Sequence, residues 1–286
     1  MLHSPIHIAL GKELDYLRPI VVSDLARFGN SGDGGYVLSL AALQNVGALI
    51  SFGIADDWSF ESDLSNRYAD LLIHAYDHTV DERIFLRSKR MAMKAVLFGV
   101  IKRLLHKLSS DDLKRRIRHY RACASTCYNY PRFFGHGNHK HFRERVFNRA
   151  EDNSDATIDK VFERVGNRSN IVLKIDIDGG EYRIIRQCMA YADRISIVAI
   201  EFHDTDPLRS VFFEQIQAIR QEFNVIHVHG NNNRGVGADG LPECLEITFL
   251  HKRFPTETHH RTRLPLAGLD FPSNAGKTDY VLEFSR

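Results

Sequence analysis

The sequence predicts a doubly wound α/β fold: a mostly parallel, seven-stranded sheet with helices on both faces and one helical insertion. Short apolar runs end at glycine or at an acid and alternate with amphipathic stretches. That alternation builds right-handed βαβ units and a parallel sheet. The pattern breaks once, for a strongly basic stretch between residues 81 and 121. It ends in two strand-like runs joined by a glycine- and asparagine-rich loop, the signature of an antiparallel pair at a sheet edge.

Residues 1–25 read as a helical lead-in, and residues 1–45 as that lead-in plus a glycine-rich loop. R-F-G-N-S-G-D-G-G-Y-V-L, residues 27–38, is a glycine-rich turn leading into a short strand. Residues 46–52 form the first core strand and end at Gly53. A helix follows over 56–68, with Asp57 or Ser59 as its cap. Residues 71–76 form the next strand, which ends at Asp77.

In the basic stretch, Met91, Met93, Val96, Leu97, Val100, Ile101, Leu104 and Leu105 recur at helical spacing among lysines and arginines. We read residues 82–135 as an inserted basic helical lid with a solvated face, and 128–142 as a loop rich in aromatics, glycine and histidine. Strands at 171–177 and 195–202 then alternate with helices at 156–165, 182–189 and 207–222. Strands at 224–228 and 244–250 close a single domain spanning 1–286, with the loop 230–242 between them.

Composition bounds the function. The chain has 286 residues, 43% of them hydrophobic, so it can bury a large core. Its net charge of +2 argues against a whole-chain nucleic-acid binder. The four cysteines show no C-x-x-C spacing, and a chain of this size needs no disulfide staples. A reducing, cytoplasmic setting is expected, with no secretory signal and no spanning helix. Homo-oligomerisation stays open. His136, His139 and His141 have no cysteine at zinc-site spacing and read as loop residues.

Five constellations carry chemistry, each at a predicted strand end, where ligands of doubly wound sheets bind. S-F-G-I-A-D-D-W-S-F-E, residues 51–61, is neither a dinucleotide fingerprint nor a P-loop, and suits a nucleoside without a phosphate cradle. Asp77 can accept both ribose hydroxyls. It stands about 24 residues past Gly53, near the roughly 20-residue spacing of such acids. L-K-I-D-I-D-G-G-E-Y (173–182), E-F-H-D (201–204) and H-V-H-G-N-N-N (227–233) place acids, histidines and asparagines in one crevice. Burying them is costly unless they are paired or bound to a ligand. Such a set suits acid–base chemistry or a hard metal.

With A-T-I-D-K-V-F upstream and V-A-I-E-F-H downstream, L-K-I-D-I-D-G-G-E-Y-R-I-I resembles the FkbM family of S-adenosylmethionine-dependent methyltransferases. The resemblance covers roughly residues 27 to 250 outside the basic insertion. S-F-G-I-A-D-D-W-S-F-E and A-Y-D-H-T resemble the family's first two cofactor motifs, although Ile54 and Asp56 stand where small residues are common.

The resemblance implies a Rossmann-like class I methyltransferase fold, S-adenosylmethionine as cofactor, and O-methylation of a sugar, polysaccharide or other natural-product hydroxyl. It places the cofactor on Gly53, Ile54, Ala55, Asp77 and His78, with Gly35 and Tyr36 from the front loop. Glu181, His229, Asn231 and Asn232 are expected at the acceptor. The catalytic expectation rests on His203, Asp176 and Asp178. In one version His203 is the general base, its ordinary pKa being near 6.5. In the other, Asp176 or Asp178, with Glu201, His203 or Asp204, holds Mg²⁺ against the acceptor hydroxyl, the set Asp176, Glu201 and Asp204 being the one expected.

Two other readings compete. One is a catalytically silent scaffold that binds a glycan or partner, which the costly strand-end charges argue against. The other is a nucleic-acid methyltransferase, supported only by the basic helices. The Asn/Asp-Pro-Pro-aromatic motif of exocyclic amine methylation does not occur.

Overall fold

The structure is a computed structural model and describes residues 4–285 except 136, 150, 151, 153 and 239. The chain enters as a strand, β1 (Ile6–Leu10), followed by a 3-10 turn over Lys12–Leu17. This corrects the helical lead-in expected over 1–25. Ile8 and Leu10 are buried at period two, and β1 pairs in parallel with the last strand of the chain. A pairing that distant leaves no mark on the local sequence.

β2 (Leu25–Phe28) and β3 (Tyr36–Ser39) make a separate antiparallel hairpin around the glycine-rich turn. A one-turn helix, α1 (Leu40–Leu43), leads to β4 (Ala48–Phe52), α2 (Ser59–Arg67) and β5 (Leu72–Tyr76). The N-cap of α2 is Trp58; Asp57 lies just before it and accepts the Ser59 N–H at 2.9 Å. Two long helices follow. α3 (Glu82–Leu104) is capped by Asp81, which accepts the Ile84 N–H at 2.7 Å. α4 (Ser110–Phe134) is capped by Ser109.

Of the stretch 128–142, read as a loop, residues 128–134 are instead the last turns of α4 and 139–142 a short strand, β6 (His139–Phe142). β6 pairs in parallel with β5 at the sheet edge. H-K-H-F has no apolar run, so its strand character comes from backbone pairing and was not legible. β6 is the seventh strand of the main sheet, whereas β3 stays outside it.

After the short parallel pair β7 (Arg145–Val146) and β8 (Asp155–Ala156) come α5 (Ile158–Arg164), β9 (Ile171–Ile175), α6 (Ile185–Met189) and β10 (Ile195–Phe202). α7 (Arg209–Ile219), β11 (Phe223–Gly230) and β12 (Leu245–His251) follow. The chain does not close there: β13 (Arg263–Leu264) and β14 (Tyr280–Phe284) join β1 in a second, three-stranded sheet.

The main sheet has the order β11-β12-β10-β9-β4-β5-β6. β12 runs antiparallel to both of its neighbours, as expected for the edge pair. β4, β5, β9 and β10 are buried along their whole length. Their residues alternate between two cores: Ile50, Phe52, Leu173 and Ile175 face one, and Leu49, Ile73, Val172 and Ile197 the other. Full burial of each such side chain contributes about 1.5–3 kcal/mol. The chain runs outward from β4 through β5 to β6, then crosses back to β9 on the other side of β4. The crevice therefore opens at the carboxyl ends of β4 and β9.

Candidate active site

A cavity of about 570 Å³ lies at these strand ends, within the roughly 300–1,000 Å³ of small-molecule sites. β4 ends at Gly53, with φ of 80°. A Cβ there would stand 1.7 Å from the carbonyl oxygen of Asp176. Glycine is thus required first by the close approach of β9 and only then by a ligand. Cross-links fix the junction: Gly53 N–H donates to Tyr76 O, and Asp176 N–H to Phe52 O, each at 2.9 Å.

Asp77, at the end of β5, accepts from Ile54 N–H and Ala55 N–H at 3.1 and 2.9 Å. Its other oxygen accepts from the Thr79 N–H and hydroxyl at 2.8 and 2.6 Å. Burial pushes its pKa up, but these donors outweigh burial and hold the carboxyl below its usual range. The acid expected to take the ribose hydroxyls already spends its lone pairs on the turn that lines the cavity.

The ends of β9 and β10 carry a dense polar cluster. Buried Lys174 donates to Gly53 O at 2.5 Å and lies 3.6 Å from Asp176. Burial lowers the lysine's pKa, but Asp176, Glu61 and Glu201 more than offset it and the net shift is upward. Lys174 therefore stays charged. Glu61, on α2, is fully buried and accepts the Ser51 hydroxyl at 2.5 Å. Glu201 accepts from Asn231 at 2.6 Å and from the Cys244 thiol at 2.8 Å. Burial raises its pKa, and Asp176 and Glu246 raise it further.

His203 is held from behind. Glu181 accepts its backbone N–H at 2.8 Å, and its backbone carbonyl accepts the Tyr182 hydroxyl at 2.6 Å. Its ring lies 3.4 Å from Glu181 and 3.6 Å from Asp178. Burial alone would lower the imidazole pKa, but Glu181, Glu201 and Asp176 push it above its ordinary value. Glu201 and His203 thus form a proton-rich pair facing the cavity.

Of the residues expected from sequence, Gly53, Ile54, Ala55, Asp77, His78, Asp176, Asp178, Glu201, His203 and Asn231 line the cavity. The structure does not bring the others there. Asp204, at φ of 53°, is not among the lining residues, and among the described residues Asp176, Glu201 and Asp204 do not converge as a Mg²⁺ set. Gly35 packs on Asn30 and Arg27. Tyr36 reaches the site through Asp176, to which its hydroxyl donates at 3.2 Å. Glu181 sits behind His203. His229 pairs with Glu246 at 3.1 Å, and Asn232 donates to the Asn274, Lys277 and Thr278 carbonyls.

The cavity is also lined by Lys174, an ionisable strand-end residue of the third constellation, and by residues with no role assigned from sequence: Cys244, Glu61, Asp33, Phe147 and Arg183. Lys174 had a signal, a cation inside an apolar strand. Cys244 had none, since it arrives just before β12, the antiparallel strand between β11 and β10. His139 and His141 are held apart on β6 by Phe133 O and Asp77 O, and His136 lies outside the described residues.

Ligand atoms of Glu201, His203 and Cys244 converge within 4.8 Å, as do those of Asp33, Glu201 and Glu246. The first set does not fit Mg²⁺. Burial and Glu201 push the Cys244 thiol far up, so it remains a protonated donor. The all-oxygen second set suits a hard cation.

A doubly wound sheet whose carboxyl edge offers a turn without a phosphate cradle, beside a buried acid–base cluster, has the architecture that the sequence resemblance implies for an S-adenosylmethionine-dependent methyltransferase. The family model of the methyltransferase FkbM domain matches residues 32–235, and the chain belongs to that family. No curated protein matches it. Among solved structures it is similar to the fibrillarin pre-rRNA processing protein of Methanococcus jannaschii. That match has 8% identity and a TM-score of 0.37, over 75% of this chain and 70% of that one. Two single-residue variants of the 16S rRNA (adenine(1408)-N(1))-methyltransferase of Catenulisporales acidiphilia match at 10% and 8% identity, with TM-scores of 0.31 and 0.30. These matches cover 78% and 79% of this chain and 98% and 97% of those chains. Likenesses this remote do not indicate what the chain acts on.

Proposed function

We propose that the chain methylates a hydroxyl of a sugar, polysaccharide or related small molecule, with the Glu201–His203 pair managing the acceptor's proton. The observation that supports this most is that pair, buried at the end of β10, raised in pKa and facing the cavity. When bound, S-adenosylmethionine supplies an electrophilic methyl group. The residues Gly53, Ile54, Ala55, His78 and Thr79 would hold it on one side and Val146 and Phe147 on the other.

The acceptor O–H must lose its proton as its oxygen takes the methyl. His203, in its neutral form, accepts that proton, and Glu181 anchors the ring and stabilises the resulting cation. Asn231 and Cys244 orient Glu201. Because His203 starts with a raised pKa, turnover should climb as pH rises above neutral. Where a divalent cation takes part, Asp33, Glu201 and Glu246 would hold it, and its chemistry would be to acidify the acceptor hydroxyl.

The test is methyl transfer from labelled cofactor to sugar acceptors, with and without Mg²⁺, in wild type and His203→Ala. Transfer to a hydroxyl that falls in the variant, with cofactor affinity unchanged, is the expected result. Cofactor binding that collapses in the variant would contradict the role given to His203.

A further inference from the structure

The hairpin of α3 and α4 presents a surface that the transfer chemistry does not use. Its root is fixed by aromatic packing: the Tyr130 ring centroid lies 5.1 Å from Phe85, 5.8 Å from Trp58 and 5.3 Å from Phe134. Beyond the root, α3 packs chiefly on α4. Its buried residues, Phe85, Ala92 and Gly99, recur every seven positions along one face. The helices meet closely at Gly99, where a Cβ would stand 2.9 Å from Arg116 Cδ.

Among the described residues, nothing packs over the opposite face of α3. Met93, Leu97, Ile101 and Leu104 are 44%, 59%, 54% and 74% exposed. At helical periodicity they fall in one narrow stripe, flanked by the exposed Phe98 and Leu105. Contiguous apolar exposure of this kind marks an interaction surface. Arg87, Arg90, Lys94, Lys102, Arg103 and Lys107 surround it, and no acid occurs between Glu82 and Asp111.

This charge pattern selects the occupant. A second copy of the stripe would set cations against cations, which is repulsive. A nucleic acid would satisfy the cations but leave the leucines in water. An anionic bilayer serves both: its acyl boundary takes the apolar stripe and its headgroups take the lysines and arginines.

We propose that the α3–α4 hairpin docks on the surface of an anionic lipid bilayer. Leu97, Ile101 and Leu104 lie in the headgroup–acyl boundary, and Lys94, Lys102 and Arg103 hold the headgroups. The hairpin lies on the membrane and does not cross it; no helix among the described residues is long and apolar enough to do so. α3 starts shortly past Thr79, which lines the cavity, so docking would tether the enzyme close to its active site.

The test is co-sedimentation of the full chain with phosphatidylcholine vesicles, with and without phosphatidylglycerol. Anionic vesicles should bind about tenfold or more tightly than neutral ones, and salt should weaken that binding steeply. Leu97→Ser/Ile101→Ser/Leu104→Ser should lose binding about tenfold or more, with unfolding temperature and cofactor affinity retained. Lys94→Gln/Lys102→Gln/Arg103→Gln should lower binding to anionic vesicles alone, and decides the matter if the first variant misfolds. Absent or charge-independent vesicle binding would overturn the proposal, as would binding indifferent to the variants. So would tighter capture of single-stranded or duplex nucleic acid, or a dimer that dissociates in the leucine variant.

Discussion

At the end of β10, Glu201 and His203 face the cavity; at the end of β11, His227, His229 and Asn232 face the C-terminal segment. The two strand ends use the same residue types. His227 lies 3.0 Å from fully buried Asp270, and His229 lies 3.1 Å from Glu246. Asn232 closes on the loop before β14. Each β11 histidine has an acid of its own, and the result is a staple joining the second sheet to the first. Burial raises the pKa of the β10 acid, and its acidic neighbours, Asp176 and Glu246 among them, raise it further. What separates a site from a staple here is whether the charges are balanced within the protein.

The comparison can be broken in four places. His203→Ala should lower turnover by about 10²–10⁴-fold, the usual worth of a positioned acid–base group. Cofactor affinity, read by calorimetry, should stay within about twofold of wild type. On the staple, Asp270→Ala strands His227 in a buried site, and breaking a buried pair costs about 3–5 kcal/mol. Denaturant unfolding should show that loss, while the folded protein keeps its turnover per molecule.

The third test is pH. Glu246 and Asp279 outweigh burial and raise the folded-state pKa of His229 to about 10. A raised histidine gives its full stabilisation below its unfolded value, near 6.5, and loses it as pH climbs through the folded value. Stability should therefore fall between about pH 6.5 and 10, and His229→Gln should flatten that fall. Smallest of the four, Asn232→Ala should cost about 1–3 kcal/mol through unpaired carbonyls and leave turnover unchanged.

Much of this was legible before folding. The runs at β4, β5, β9 and β10 are continuous and apolar because both faces of a parallel sheet are buried, so the strands and their polar ends could be placed together. β1 and β14 could not be paired, since each is short and finds its partner at the far end of the chain. β6 was hidden because backbone pairing, with no apolar run, makes it a strand. At the site, Gly53, Asp77 and His203 were identified, but part of their purpose was not. Gly53 yields to the Asp176 carbonyl, and Asp77 serves the turn's own N–H groups. The split between β10 and β11 was likewise invisible: which acid meets which histidine depends on Asp270 and Asp279, from a segment with no pattern of its own.

The most direct test of the strand-end crevice as the working site is calorimetric titration with S-adenosylhomocysteine of wild type, Asp77→Ala and His229→Gln at neutral pH. The account predicts binding by wild type and His229→Gln, and a loss of about tenfold or more in Asp77→Ala. Absent binding by the folded wild type, or equal binding by Asp77→Ala, would contradict it.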